Sequence, residues 1–552
     1  MISFLRLYFG GSLFIKDKNV DTTSYDDKKV ERIKETNDDR LDEETLVRNL
    51  IAYGNDCFAS GKYKKALETY FAAIQTINPA IKFEDTGKGP PWLRLLFQYS
   101  TFNTSSIQTT KQTFHMVKVL VNISAVLLKT DKVNGAIRIL QETLKLSRLL
   151  VETFGVSHPM NMGQRIFRNS DDDLMYLQFL NLYADTLQNM GLVYNKRINY
   201  ESAQDKLAQS ITYRRSALKL IQERKSQVSD HDDIRSSRFA LAKTLQIYGW
   251  TCDQRGLFDE SKHSYCEALN LSYDDEEKSL IPLLTALAES YVKCREFHDA
   301  QYSFELIMEM IKQDKESASL IHVKARLSSV QQKQGKNVEA LQLAQQAFLS
   351  AANLTCEDEM QKSIALSEAM SNLGALYFQR GNYAWAKKWY KLSLEERLQH
   401  LKLEDPLIME SIDAIARVYS SRKNFLRLIV IYTKCIEKFI QVFGENHRCV
   451  ATLSVKLGEA YSNLGNHEVA IQFHYDARRR MSIALAGVEN HPTVACILRS
   501  TAVTYCMAGR MDEGFDTFAE ALEIFHKCGY ANSHPDVADT LQNIDAFFAE
   551  RR

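Results

Sequence analysis

Residues 372–394 read NLGALYFQRGNYAWAKKWYKLSL, and the spacing inside that stretch decides the fold. Counting from the small residue Gly374, an aromatic follows at three (Tyr377), glycine at seven (Gly381), alanine at twelve (Ala386), tyrosine at sixteen (Tyr390) and serine at nineteen (Ser393). The offsets recur in residues 50–79 through Gly54, Gly61, Ala66, Tyr70 and Ala73. They recur again in residues 458–477 through Gly458, Tyr461, Gly465, Ala470, His474 and Ala477. Two short antiparallel helices cross closely only if their contact positions are small, and an aromatic then fills the space beside the crossing. A glycine such as Gly381, Gly465 or Gly509 suits the turn between them.

Working outward, the first small residue of each unit falls at Gly54, Ser124, Gly191, Gly249, Ala288, Ser328, Gly374, Ala416, Gly458 and Ala502. The intervals are 70, 67, 58, 39, 40, 46, 42, 42 and 44, regular over the last six. One such hairpin cannot bury its apolar face alone, so neighbours stack into a solenoid. Prolines mark the junctions: Pro159, Pro406, Pro492 and Pro535 each follow a histidine or aspartate that is placed to cap the next helix. In a fifth junction, residues 445–450, Arg448 occupies the proline slot.

Composition agrees. The 552 residues contain only 22 glycines and 8 prolines, which excludes collagen-like, proline-rich and turn-dense all-β designs. Lysine plus arginine and aspartate plus glutamate both number 69, so the whole chain makes no electrostatic case for nucleic acid or an anionic membrane. Ten scattered cysteines without C-x-x-C spacing are neither a disulfide framework nor a zinc ribbon, and suit a reducing compartment. No apolar run reaches 18 residues.

Residues 1–15, MISFLRLYFGGSLFI, are apolar around Arg6; a short targeting role stays open, although no A-x-A-like cleavage site follows. Residues 1–45 are expected to be a tether, charge-dense from Lys16, with residues 46–545 as the repeat array and 534–552 as a capping helix. Polar insertions are expected at about 80–112 and 223–237, as surface loops.

A search for chemistry finds little. GKGPPW, residues 87–92, lacks the spacer and Lys-Ser/Thr pair of a phosphate-binding loop. His467 and Glu468 start an H-E-x-x-H pattern, but Ile471 stands where the second histidine belongs. No G-x-S-x-G elbow occurs, so neither a catalytic residue, a cofactor nor a metal site is expected. Arg478, Arg479 and Arg480 read as the solvated end of a helix.

These repeats resemble tetratricopeptide (TPR) repeats over roughly residues 46–545. The period of about 42 and the junctions FGENH (443–447), NHPTVA (490–495) and HPDVA (534–538) resemble the kinesin-light-chain and nephrocystin-3 type. The resemblance implies an all-α right-handed superhelix, an α-solenoid of about ten hairpins, whose concave groove is lined by the first helix of each. Transferred to this sequence, the lining is Arg48, Asn55, Lys118, Asn122, Asn189, Trp250, Arg326, Asn372, Arg417, Lys456 and Arg499. Asparagine and arginine there could hold an extended peptide's backbone or carboxylates.

The expected role is accordingly a non-enzymatic, cytoplasmic protein-interaction scaffold or cargo adaptor, with a cytoskeletal association if it is kinesin-light-chain-like. Its partners would be peptide segments of other proteins, with no nucleic acid and no integral membrane span. One departure stands out: kinesin light chains carry a long heptad coiled coil ahead of their repeats, and residues 1–45 show no sustained heptads. The alternatives are a regulatory subunit of an enzyme complex, or a co-chaperone whose clamp grips acidic C-terminal peptides. Asn55 and Asn122 match two clamp positions, while Ile51 and Asp185 stand in lysine slots.

Overall fold

A computed structural model describes residues 43–78, 110–153, 170–224, 231–272, 277–311, 318–354, 359–488 and 490–551. Residues 1–42, GKGPPW with the rest of 79–109, the junction at Pro159 and residues 225–230 lie outside the described residues. The described residues are helical throughout, with turns between helices and no strand.

The chain divides into a unit ending at Thr251 and a unit beginning at Cys252. In the first, α1 (Glu43–Ala59) pairs with α2 (Tyr63–Ile77), α3 (Thr110–Lys129) with α4 (Val133–Thr153), and α5 (Ser170–Lys196) with α6 (Tyr200–Arg224). The division falls inside α7 (His231–Arg255), which is followed by α8 (Phe258–Leu271). The second unit continues with α9 (Glu277–Lys293) and α10 (Phe297–Ile311), α11 (Ala318–Lys333) and α12 (Asn337–Ala352), and α13 (Glu359–Gln379) and α14 (Tyr383–His400). It is completed by α15 (Pro406–Ser421) and α16 (Phe425–Phe443), α17 (Arg448–Asn463) and α18 (His467–Ala484), α19 (Pro492–Met507) and α20 (Met511–Lys527), and the single helix α21 (Pro535–Arg551).

The spacing rule explains each hairpin. At Gly54 and Gly374 an added Cβ would lie 2.4 Å from Tyr70 Cε1 and 2.7 Å from Tyr390 Cδ1, so the tyrosine sixteen residues on lies directly over the glycine. The residue seven after every anchor has positive φ: six glycines, and Asp131, Ile198, Arg295 and Lys423. At Gly381 the turn closes by Gly381 N–H to Phe378 O and Asn382 N–H to Tyr377 O, both 2.9 Å, the 5→2 and 6→1 pair of a helix C-terminus ended by a left-handed residue. Ile198, β-branched at φ 59°, shows that the turn is imposed by helix packing even where its residue disfavours it.

The junction caps are present. Asp405 accepts from Leu407 N–H at 2.9 Å, and His447, His491 and His534 each accept through Nδ1 from the N–H two residues on. Burial lowers the pKa of His491 and His534, which keeps Nδ1 available as an acceptor.

Within the second unit a seam joins distant residues. Arg255 Nε donates to Gly529 O (2.7 Å), Ala531 N–H to Arg255 O (2.9 Å) and Ser533 Oγ to Gly256 O (2.8 Å). An added Cβ on Gly256 would sit 2.4 Å from His534 Cα, in contact with backbone that cannot swing aside. Gly381 has a similar φ, +73° against +84°, but open space around it. Both Gly→Ala variants meet the left-handed penalty of roughly 1–2 kcal/mol. Gly256→Ala is expected to cost about 1–3 kcal/mol more by overpacking the seam. Chemical denaturation of both measures this, and equal costs would mean that the seam does not form in solution.

His474 lies under Gly458, wholly buried, with Nε2 3.1 Å from Thr504 Oγ1. Burial, only partly offset by Glu459, lowers its pKa from 6.5 to about 4. The fold therefore favours neutral imidazole, and this contribution is whole above pH 6.5 and lost as pH falls toward 4. A displacement from 6.5 to about 4 corresponds to roughly 3 kcal/mol at most. His474→Tyr installs the residue found at this offset in α2 and α14, and its stability is expected to fall less than wild type's between pH 7 and 4. Superimposable pH profiles would refute this.

Candidate functional site

The residues expected to line a groove separate into two groups. Asn122, Asn189 and Lys118 are buried, 0%, 2% and 2% exposed, so the expectation that they face a ligand is corrected. The asparagines instead tie successive first helices together. Asn122 Nδ2 donates to Asn55 Oδ1 (2.9 Å), which also accepts from Tyr70 OH (2.7 Å). Asn189 Nδ2 reaches Ser124 Oγ at 3.4 Å, and Asn372 Nδ2 donates to Ala325 O (3.1 Å) and Ser328 Oγ (2.5 Å). Asn122, Asn189 and Asn372 each stand two residues before an anchor and reach back to the preceding first helix, Asn189 and Asn372 to its anchor serine and Asn122 to Asn55, one residue past its anchor. Asparagine at that offset was the available signal, since Arg326 and Lys456 share the offset and stay open to solvent.

The acidic-peptide clamp fails for the same reason. Asn55 and Asn122 bond each other, Ile51 is buried, and Asp185 is held at 2.5 Å by the buried Arg214. Nearby, burial lowers the pKa of Lys129 and Lys243 to about 8; Lys196 adds to the effect on Lys129, and Arg214 on Lys243.

Arg326, Arg417, Lys456 and Arg499 remain in contact with solvent, on the first helices of the second unit. Arg326 lies between Glu289 (3.7 Å) and Glu368 (3.9 Å), and His322 Nδ1 meets Glu368 at 2.8 Å. Burial pushes the Glu368 carboxyl upward, but His322 and then Arg326 overcome this and hold it below the usual range. Lys456 pairs with Glu459 (3.3 Å), which accepts from Ser500 Oγ (2.8 Å), and Arg499 pairs with Asp536 (3.1 Å). The result is a strip of alternating charge, half-paired and open to water.

One hairpin departs from the rest. Twelve residues after each anchor the chain has Ala66, Ala136, Ala203, Ser261, Ala300, Ala340, Ala386, Ala470 or Gly514, but Leu428 in α16. Leu428 is only 4% exposed, so its extra volume lies at the crossing and holds α15 and α16 apart, unlike α13–α14 and α17–α18. Beside it opens a cleft of about 620 Å³. Glu410, Asp413, Arg417, Lys456 and Glu459 form its polar wall, and Met409, Phe425, Leu428 and Tyr432 its apolar one. Arg417 and Lys456, singled out from sequence, meet here; Asp413 and Leu428 were missed.

The arginine run is engaged at the surface, Arg478 with Glu520 (2.6 Å), and Arg479 (2.8 Å) and Arg480 (2.5 Å) with Asp476. Among the described residues no cluster of three His, Cys, Asp or Glu could hold a metal, and no helix is long and apolar enough to cross a membrane.

Residues 366–407, which run from within α13 through α14 to the start of α15, match the tetratricopeptide repeat family. No curated protein matches the chain in sequence. Among solved structures it is similar to BtubC (BKLC) from P. vanneervenii, at 20% identity over 46% of this chain and 94% of that one, TM-score 0.32. It is also similar to the apo quorum sensor NprR from B. thuringiensis, at 15% identity over 72% and 98%, TM-score 0.37. Yeast Tom70 is 12% identical over 93% and 97%, TM-score 0.42. Each of these TM-scores is below 0.5, and the fold rests on the chain's own geometry: the matched hairpin recurs, with its anchor, turn and buried filler, along both units. The chain carries a tetratricopeptide repeat at residues 366–407, set in an array of hairpins of the same geometry.

Proposed function

We propose that this protein is a non-catalytic scaffold that holds peptide segments of other proteins against the first-helix face of its second unit, as a cytoplasmic cargo adaptor of the kinesin-light-chain kind. The observation that carries the reading is the half-paired charge strip through Arg326, Arg417, Lys456 and Arg499, interrupted by the cleft at α15–α16. Exposed ion pairs contribute little to folding, so they can exchange partners with a ligand at small cost. An extended chain laid there would meet alternating donors and acceptors, with an apolar recess for one side chain.

A second reading, capture of an acidic C-terminal segment, draws on the cations gathered around Lys129 and Lys243 in the first unit. Such binding would weaken between pH 7 and 9, because lysines with pKa about 8 lose their charge there. A short peptide ending in Glu-Glu-Val-Asp provides that test.

For the main reading, wild type is compared with Arg417→Glu/Lys456→Glu in quantitative affinity purification from cytosolic extract, both proteins being verified as folded by circular dichroism. A discrete set of partners is expected to fall at least tenfold with the variant. Partners that persist at wild-type levels would remove the strip from the binding surface.

A further inference from the structure

We propose that the cleft beside Leu428 is the specificity pocket of the scaffold and takes an arginine or lysine side chain of a bound peptide. The inference rests on the peptide-scaffold reading above and names what that surface selects.

The pocket exists because one residue breaks the hairpin rule. With alanine at position 428 the α15–α16 crossing would match its neighbours; leucine keeps the helices apart and supplies apolar wall at once. Met409, Phe425 and Tyr432 complete that wall, a surface suited to the aliphatic stem of a long cationic side chain.

Charge decides which head group enters. Three carboxylates and two cations line the cleft, leaving one negative charge in excess. Glu459 is engaged by Lys456 at 3.3 Å and Ser500 at 2.8 Å, and Glu410 lies 3.8 Å from Arg397. Asp413 is different: its Oδ1 is buried and accepts no hydrogen bond. A buried carboxylate oxygen without a donor is costly, and an entering guanidinium or ammonium would supply one in charge-assisted form. The raised pKa of Asp413, caused first by burial and only partly relieved by Lys456, agrees with a carboxylate short of cationic partners. An acidic or apolar peptide side chain would leave that oxygen unsatisfied, which is discrimination by an unpaired group in the site.

The test uses the full chain and four pools of acetylated, fluorescein-labelled hexapeptides. Their fourth position is fixed as Arg, Lys, citrulline or Glu, and the other positions are randomised over Ala, Leu, Gln and Ser. Fluorescence anisotropy is expected to show the Arg and Lys pools binding at least tenfold tighter than the citrulline pool, which keeps the shape without the charge. Asp413→Asn, which preserves volume, should abolish that preference, and Leu428→Ala should weaken the Arg pool at least tenfold by letting the hairpin close. Should Leu428→Ala fail to fold, Asp413→Asn alone carries the decision. Equal affinity for Arg and citrulline pools, or an unchanged preference in Asp413→Asn, overturns the pocket but leaves the scaffold standing. Binding of no pool, together with partners indifferent to Arg417→Glu/Lys456→Glu, overturns both.

Discussion

Two helices lie side by side at hairpin distance only where neither presents bulk at the crossing, and most of this structure follows from how the chain meets that constraint. A glycine, alanine or serine at the anchor, a small residue twelve on and a large buried filler sixteen on form one packing unit. Tyr70, Phe304, Tyr390 and Phe518 are all buried fillers, at 0%, 1%, 3% and 0% exposure. The filler touches both helices of its own hairpin, so anchor and filler are chosen together. Where the anchor is Gly458, the filler is the wholly buried His474, and the repeat thereby acquires a titratable core.

The same geometry decides which polar residues remain open to a ligand. A first helix packs against its partner on one side and against the next first helix on another. Positions two before the anchor therefore lie beside a neighbour, and Asn122, Asn189 and Asn372 each donate through Nδ2 there. Arg326 and Lys456 stand at the same offset, but their longer side chains reach solvent, where they and Arg499 pair loosely with carboxylates of their own or adjoining helices. Buried ties specify register between repeats, while exposed pairs add little to stability and stay adaptable.

The hairpins, their turns and their histidine and aspartate caps were legible because each rests on short sequence offsets that a single chain displays repeatedly. The binding face was legible only in part. Asn372 and Arg326 stand at the same offset from their anchors, so position alone does not separate a buried tie from a solvent-facing charge; the length of the side chain and the groups it reaches do. The cleft was legible in principle, since Leu428 alone interrupts the small residues at its offset, but its meaning depends on Asp413, whose lack of a donor appears only in three dimensions. The seam from Arg255 to Gly529 had no sequence signature, because its hydrogen bonds run largely through backbone carbonyls that any residue supplies.

That seam changes what kind of array the second unit is. In a repeat protein where each hairpin meets only its neighbours, stability is a sum of local terms and the ends fray first. A contact between residues 255 and 529 spans every hairpin between them, so loss of any intervening interface also strains the seam. Fraying from the α21 side must break the bonds of Ala531 and Ser533 before α20 is released. Cooperativity of this sort lets one interface be poorer than its neighbours without becoming the point where the unit opens. The α15–α16 hairpin, spread by Leu428 and holding an unsatisfied Asp413, is such an interface, and it lies well inside the stretch that the seam encloses. The unit can thus carry a pocket whose local packing is unfavourable, because the closing contact distributes that cost over hairpins that pack well.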